Sequence, residues 1–361
     1  MKQICCSRSF VSQLFLVLLM ALTLNSCDLF GSGSPRGPRK QVRPAAASDA
    51  KKIIVILNGL WQNSETYNVT TQNLVAAFEA EGLMVEVRSL IEVATSKKTI
   101  DQQAREAFEE LKQQLAGDKY EIILVGHSQG GLRGARILTL NKREGSPLDI
   151  RGLVTLGTPW EGAPGAAITK SSVQSFLNKK PVAYLFAGVN HVNPLDEAFS
   201  IDAISNVFDR YFPTHEPGVR DMVPKSEFLQ ATAASLSDND IPILSVAGVN
   251  TEAKSFFCYN GGNLNYMRYI QKIPPIVFNS LYARILAGGW YTKHDMLVPL
   301  DSQLAKNIYK SNNFETYTVK GAVHDLLPGM KIPPDKVIYN HIESIQCIVE
   351  FTKHNCGFGV I

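Results

Sequence analysis

Ser128 stands in the run Gly126-His127-Ser128-Gln129-Gly130-Gly131, after the apolar stretch Glu121 to Val125 and before an amphipathic stretch over 129–142. A serine between glycines at a strand-to-helix turn is set for nucleophilic chemistry. Such a turn is sharp, so its near neighbours must be small, and Gly126 and Gly130 meet that need. The turn lifts the hydroxyl clear of the sheet and places it at a helix N-terminus, where backbone N–H groups point outward. The N–H of Gln129, next after the serine, is then one of the two donors that a developing oxyanion requires. A lone hydroxyl is a poor nucleophile and needs a base. Seven histidines are available. His127 lies inside the turn, His191 and His215 fall where periodicity is lost, and His294 precedes an aspartate. His341 and His354 lie in or beyond the last helical pattern, and His324 directly follows the last strand pattern.

These groups need elements to hold them. Lys52 to Leu57 is a continuous β-branched run, as in a strand buried on both faces. Helical spacing follows over 68–81, a strand over 83–90, and a helix over 99–116 with Ile100, Ala104, Ala107, Phe108, Leu111 and Leu115 on one side. Then come the strand 121–125, the helix 129–142 and a strand over 150–156. This alternation predicts a mostly parallel sheet covered by helices on both faces. The pattern fails over about 160–240, resumes with a strand over 241–247, and is interrupted again over about 250–290. It closes with a strand near 314–319 and a helix over 335–353.

Composition agrees with a folded body. The chain has 361 residues, 45% hydrophobic and 19% charged, which excludes a disordered protein. Residues 1–51 hold seven Lys/Arg against Asp28 and Asp49, and the remainder holds 29 against 31 acidic residues. A near-neutral body lacks the basic face of a nucleic-acid-binding module. No zinc-type Cys/His spacing and no metal-ligand pattern is present.

With its GHSQGG turn in that setting, the chain resembles the α/β-hydrolase family, and its lipases in particular, over residues 52–353. Leu156-Gly157-Thr158-Pro159-Trp160-Glu161-Gly162 is similar to a segment that follows the next strand in many lipases, with Trp160 where His is commoner. Val219 to Leu229 is also similar to a lipase segment. The resemblance implies the chain order serine, acid, histidine, with Ser128 as nucleophile and His324 as base. It places the acid at Asp295, in His294-Asp295-Met296-Leu297-Val298-Pro299-Leu300-Asp301-Ser302, where Met296 replaces the family's glycine. Asp221 shares the pattern superficially but precedes its strand; Asp301 and Asp325 are further alternatives. The second oxyanion donor is implied at Leu60, in Asn58-Gly59-Leu60-Trp61, where Asn58 replaces the commoner His. The implied activity is cleavage of acyl esters through an acyl-serine, with no cofactor. The same residues leave open transfer to another acceptor, a thioester substrate, or a lipid-binding protein without turnover. The two interruptions, at about 160–240 and 250–290, are rich in aromatic and aliphatic residues. They read as cap insertions suited to an acyl chain, or else as filling for a larger core.

The N-terminus reads as an export signal. Lys2 and Arg8 precede the apolar run Phe10 to Leu24. That run is too short for a transmembrane helix, which needs about 20 residues. Leu24-Asn25-Ser26-Cys27 resembles the lipobox of bacterial lipoproteins, which implies a signal over 1–26, lipidation of Cys27, and a flexible tether through 51. The folded domain then spans 52–361, held at a membrane of the cell envelope. Cys258, Cys347 and Cys356 remain in the body, and no pair among them is selected by spacing. Cys27→Ser is expected to leave an unprocessed precursor of slower migration on gels. A chain starting at Ser48 is expected to be soluble and folded; its sedimentation with membranes would place the anchor elsewhere.

Overall fold

In the computed structural model the described residues are 49–90, 95–169, 171–172, 175, 213–256, 274–308, 313–326 and 330–358. The segment read as an export signal, Cys27 and nearly all of the expected tether lie outside them, as do His191, Cys258, about half of the first interruption and the middle of the second.

Among the described residues six strands form one sheet: β1 (Lys51–Leu57), β2 (Glu86–Ser89), β3 (Tyr120–His127), β4 (Asp149–Leu156), β5 (Ile243–Val249) and β6 (Phe314–Lys320). Their spatial order is β2-β1-β3-β4-β5-β6, and every pairing is parallel. Alternate residues of β1 explain the two-sided apolar run. Ile53, Val55 and Leu57 enter one core, whereas Ile54 and Ile56 enter the other. The first core is closed by α2 (Ile100–Gln114), α3 (Gln129–Arg143) and α4 (Glu227–Leu236). The second is closed by α1 (Asn68–Ala80) and α6 (Ile342–Asn355), with α5 (Pro275–Leu286) packed against it through Phe278 and Tyr282. Helix α2 buries the predicted stripe and starts from Thr99, whose hydroxyl accepts the Gln102 N–H in a reciprocal capping box. A parallel sheet with helices on both faces is the architecture expected from the sequence.

Two elements differ from the sequence expectation. Residues 213–240 were expected within an interruption, yet Val219, Met222, Leu229 and Leu236 pack into the first core. The closing helix starts at Ile342 rather than 335. Residues 336–338 are taken into a bridge beside the sheet, where Val323 N–H donates to Lys336 O (2.8 Å) and Ile338 N–H to Val323 O (2.8 Å). His341 then caps the helix through its side chain. Cys347 and Cys356 are free thiols.

The chain runs from β1 outward to β2, then returns past β1 to β3. This reversal opens a crevice at the carboxyl ends of β1 and β3, the place where open α/β sheets bind ligands. The first turn of α3 packs tightly there: a Cβ on Gly130 would collide with the Leu57 carbonyl oxygen, and one on Gly126 would come within 2.5 Å of the Gly131 backbone. Gly130→Ala is therefore expected to destabilise the fold by about 1–3 kcal/mol through overpacking. Gly82→Ala meets open space and only the strain of a positive φ. A urea midpoint unchanged in Gly130→Ala would refute the packing argument.

Candidate active site

Ser128 is the single residue between β3 and α3. Its backbone has φ 53° and ψ −124°, a conformation that costs a non-glycine residue about 1–3 kcal/mol. The surroundings impose it. Ser128 N–H donates to Leu156 O on β4 (2.8 Å), and its carbonyl accepts from Gly131 N–H (3.1 Å) and the Thr158 hydroxyl (3.0 Å). The segment after β4 that resembles lipases thus braces the turn. Trp160 is buried in the core, donating its indole N–H to Ser245 Oγ (3.0 Å).

Three predicted residues converge. Ser128 Oγ lies 2.8 Å from His324 Nε2, and His324 Nδ1 lies 2.6 Å from Asp295 Oδ2. Their exposures are 8%, 2% and 0%. Asp295 Oδ1 accepts the N–H groups of Leu297 (3.0 Å) and Val298 (2.7 Å), so both carboxylate oxygens are engaged. The two residues are also joined through the main chain, His324 N–H donating to Asp295 O (2.7 Å). Met296, where the family carries glycine, has φ 80° and is fully buried. Its N–H donates to His294 Nδ1 (2.9 Å), and its carbonyl accepts the Tyr282 hydroxyl (2.7 Å). Burial by itself would push the His324 imidazole down. The charge and hydrogen bond of Asp295, aided by Asp325, outweigh it, and the ring is raised above its ordinary value.

The loop after β1 supplies the other polar groups. Asn58 Oδ1 accepts the Ser89 hydroxyl (2.9 Å), and Asn58 O accepts from the buried Arg133 guanidinium. The Gly59 N–H is occupied by Gln62 Oε1 (2.8 Å) and Tyr67 Oη (2.9 Å). Among the described residues the Leu60 N–H has no such partner. Gln129 is the first residue of α3, so its N–H has no partner within the helix. The Gln129 side chain is turned away, donating to Gly218 O (3.1 Å).

The alternative acids fall elsewhere. Asp221 Oδ2 accepts the Ile100 N–H at the start of α2 (2.7 Å), and burial pushes its carboxyl up. Asp301 pairs with Lys306 at the surface. Asp325 faces Gln62 and Tyr339 rather than the imidazole nitrogens of His324. Sequence reasoning missed Gln62, Tyr67 and Arg133. Only Arg133 left a signal, a charge on the otherwise apolar face of α3. Among the described residues no three His, Cys, Asp or Glu side chains are grouped to hold a metal ion.

Comparison with protein-family profiles and with curated proteins gives no match. Among solved structures the chain is similar to the lipase BlEst2 of Bacillus licheniformis in its mature form, at 14% identity over 86% of this chain and 96% of that one, TM-score 0.45. It is similar to a gene product of Listeria innocua at 13% identity over 85% and 94%, TM-score 0.43. A monoacylglycerol lipase of Paleococcus ferrophilus follows at 14% identity over 84% and 95%, TM-score 0.39.

The raised imidazole has a measurable sign. His324 is expected to titrate by NMR above the ordinary value of about 6.5. Asp295→Asn removes the group that raises it, so the midpoint is expected to fall below the wild-type value. An unchanged midpoint would show that the carboxylate does not face the ring in solution.

Proposed function

We propose that this chain is a serine hydrolase that cleaves acyl esters. One observation carries the reading: a hydroxyl on a strained strand-to-helix turn, 2.8 Å from an imidazole whose other nitrogen is 2.6 Å from a buried carboxylate. In the proposed mechanism Ser128 Oγ attacks the ester carbonyl carbon while His324 Nε2 takes its proton. Asp295 holds the ring in the correct tautomer and stabilises the imidazolium. The oxyanion is received by the N–H groups of Leu60 and Gln129, worth about 2.7–4 kcal/mol per donor in comparable sites. Collapse returns the Nε2 proton to the leaving alcohol and leaves an acyl-Ser128. Water then attacks with His324 again as base, releasing the acid and restoring the serine.

Two exposed apolar side chains support an acyl substrate. Trp61 (50% exposed) follows Leu60 in the chain, and Leu326 (53% exposed) lies two residues after His324. Cap insertions within about 160–212 and 250–290 and an envelope tether through Cys27 complete the proposal: an esterase of lipid-like substrates held at a membrane.

A fluorophosphonate probe and a chromogenic short-chain ester test it. Ser128→Ala and His324→Ala are each expected to abolish labelling and most hydrolysis, and the double variant to lose little more, because the members act as a unit. Asp295→Asn is expected to lower kcat by about 10⁴-fold, whereas Asp221→Asn is expected to lower the unfolding midpoint with little change in kcat. Turnover that survives Ser128→Ala would end the proposal.

A further inference from the structure

The residue after His324 is a second carboxylate, and each of its oxygens is engaged. Asp325 Oδ1 accepts the Tyr339 hydroxyl (2.7 Å) and the Leu326 N–H (2.7 Å). Asp325 Oδ2 accepts Nε2 of Gln62 (2.5 Å), a residue 263 positions earlier. The Gln62 Oε1 accepts the Gly59 N–H and touches Tyr67 Oη, whose one proton goes to His127 Nδ1. Tyr67 Oη and Gln62 Oε1 both lie 2.9 Å from His127 Nδ1. The far nitrogen of that ring donates to the His324 carbonyl (3.0 Å). These bonds close a ring from the loop after β1, through Gln62 and Asp325, to His324, and back through His127 and Tyr67.

One peptide unit is fixed at both ends, by this ring on one side and by Arg133 on the other. The carbonyl of the Asn58–Gly59 peptide is held by Arg133, and its N–H by Gln62 and Tyr67. Only the two torsions of Gly59 then separate this fixed plane from the peptide bearing the Leu60 N–H. Glycine's freedom would let that N–H wander. The packing leaves little room for it: a Cβ on Gly59 would meet the Gln62 side chain and lie 2.7 Å from His127 Nδ1.

We propose that Gln62 and Asp325 are positioning residues, a strut that holds the Leu60 N–H in a fixed relation to His324 so that oxyanion donor and base form one rigid unit. The catalytic consequence rests on the serine-hydrolase reading above. Asp325 has a second effect, because its charge reaches the imidazole. Asp295, His127 and the Ser128 hydroxyl face that ring, and the charge of Asp325 reaches it from the neighbouring residue. Burial and the neighbouring His324 charge hold His127 well below its ordinary value, so it is neutral and does not oppose either carboxylate.

Charge exchange across the strut tests the proposal, with kcat normalised to active sites counted by fluorophosphonate labelling. Gln62→Ala is expected to lower kcat about 10²-fold with KM nearly unchanged, the cost of misplacing a reacting group by about 1 Å. Gln62→Glu sets two carboxylates face to face and is expected to be at least as damaging. Adding Asp325→Asn to Gln62→Glu lets the new amide donate to the new carboxylate while its oxygen still serves Tyr339 and Leu326. That double variant is expected to regain at least tenfold in kcat. In Asp325→Asn alone the His324 NMR titration midpoint is expected to move down. Wild-type kcat in Gln62→Ala would overturn the strut, as would a folded double variant no better than Gln62→Glu. A wild-type chain that neither labels nor turns over would overturn the serine-hydrolase reading, and the positioning role with it. Turnover in wild type that is indifferent to position 62 would overturn the strut alone.

Discussion

The contact on which the site depends is the approach of Gly130 to the end of β1. The first turn of α3 lies so close to the Leu57 and Asn58 carbonyls that no side chain fits between them. That closeness brings the N-terminus of α3 beside the loop after β1. It is possible only because β3 lies next to β1 in the sheet, which follows from the reversal of the chain after β2. Strand order, glycine spacing and the strained Ser128 backbone are therefore one constraint. A larger residue at 130 would part the helix from the strand and separate Ser128 from the Leu60 loop.

A similar balance is visible at Met296. Its left-handed backbone costs an ordinary residue about 1–2 kcal/mol, and glycine would avoid that cost. Burying a methionine side chain returns about 1.5–3 kcal/mol, and Met296 is completely buried in the second core. The two effects are of similar size, so the departure from glycine is affordable here. The backbone bonds from His294 and Tyr282 then keep the turn in the shape that aims Asp295 at His324.

Much of this was legible in the sequence because it is local. The two-sided apolar run of β1, the stripe of α2 and the glycines around Ser128 each write their geometry into a few neighbouring residues. Ser128, Asp295 and His324 came from the resemblance of three short segments to lipases, each of them local in the chain. What stayed hidden depends on distant partners. Gln62 and Asp325 are ordinary polar residues until folding sets them 2.5 Å apart. Helix α4, with the sequence Glu-Phe-Leu-Gln-Ala-Thr-Ala-Ala-Ser-Leu, buries only Leu229, Thr232 and Leu236, too sparse a stripe to stand out. The start of α6 was misplaced because Val337 and Ile338, apolar and helix-compatible in pattern, are used to pin Val323 beside the sheet. Asp221 and Asp295 sit in similar sequence contexts, and only their positions in the fold separate a group that holds α2 from one that holds an imidazole.

The arrangement of charge decides which buried imidazole can take up a proton. An imidazolium formed on His324 would carry a desolvation penalty of several kcal/mol in such surroundings. The Asp295 carboxylate faces the ring directly, and Asp325 adds a second negative charge through the neighbouring residue. A second histidine, His127, lies with its ring centre 5.0 Å from that of His324. Were it charged, it would cancel much of that support. Its neutral state, enforced by burial, lets it act as a hydrogen-bonding link without competing for the proton. The same environment that makes the imidazolium costly thus decides which of two adjacent histidines can bear it. The selection comes from Asp295 alone on the ring nitrogen, since the His127 nitrogens face a carbonyl, a hydroxyl and an amide.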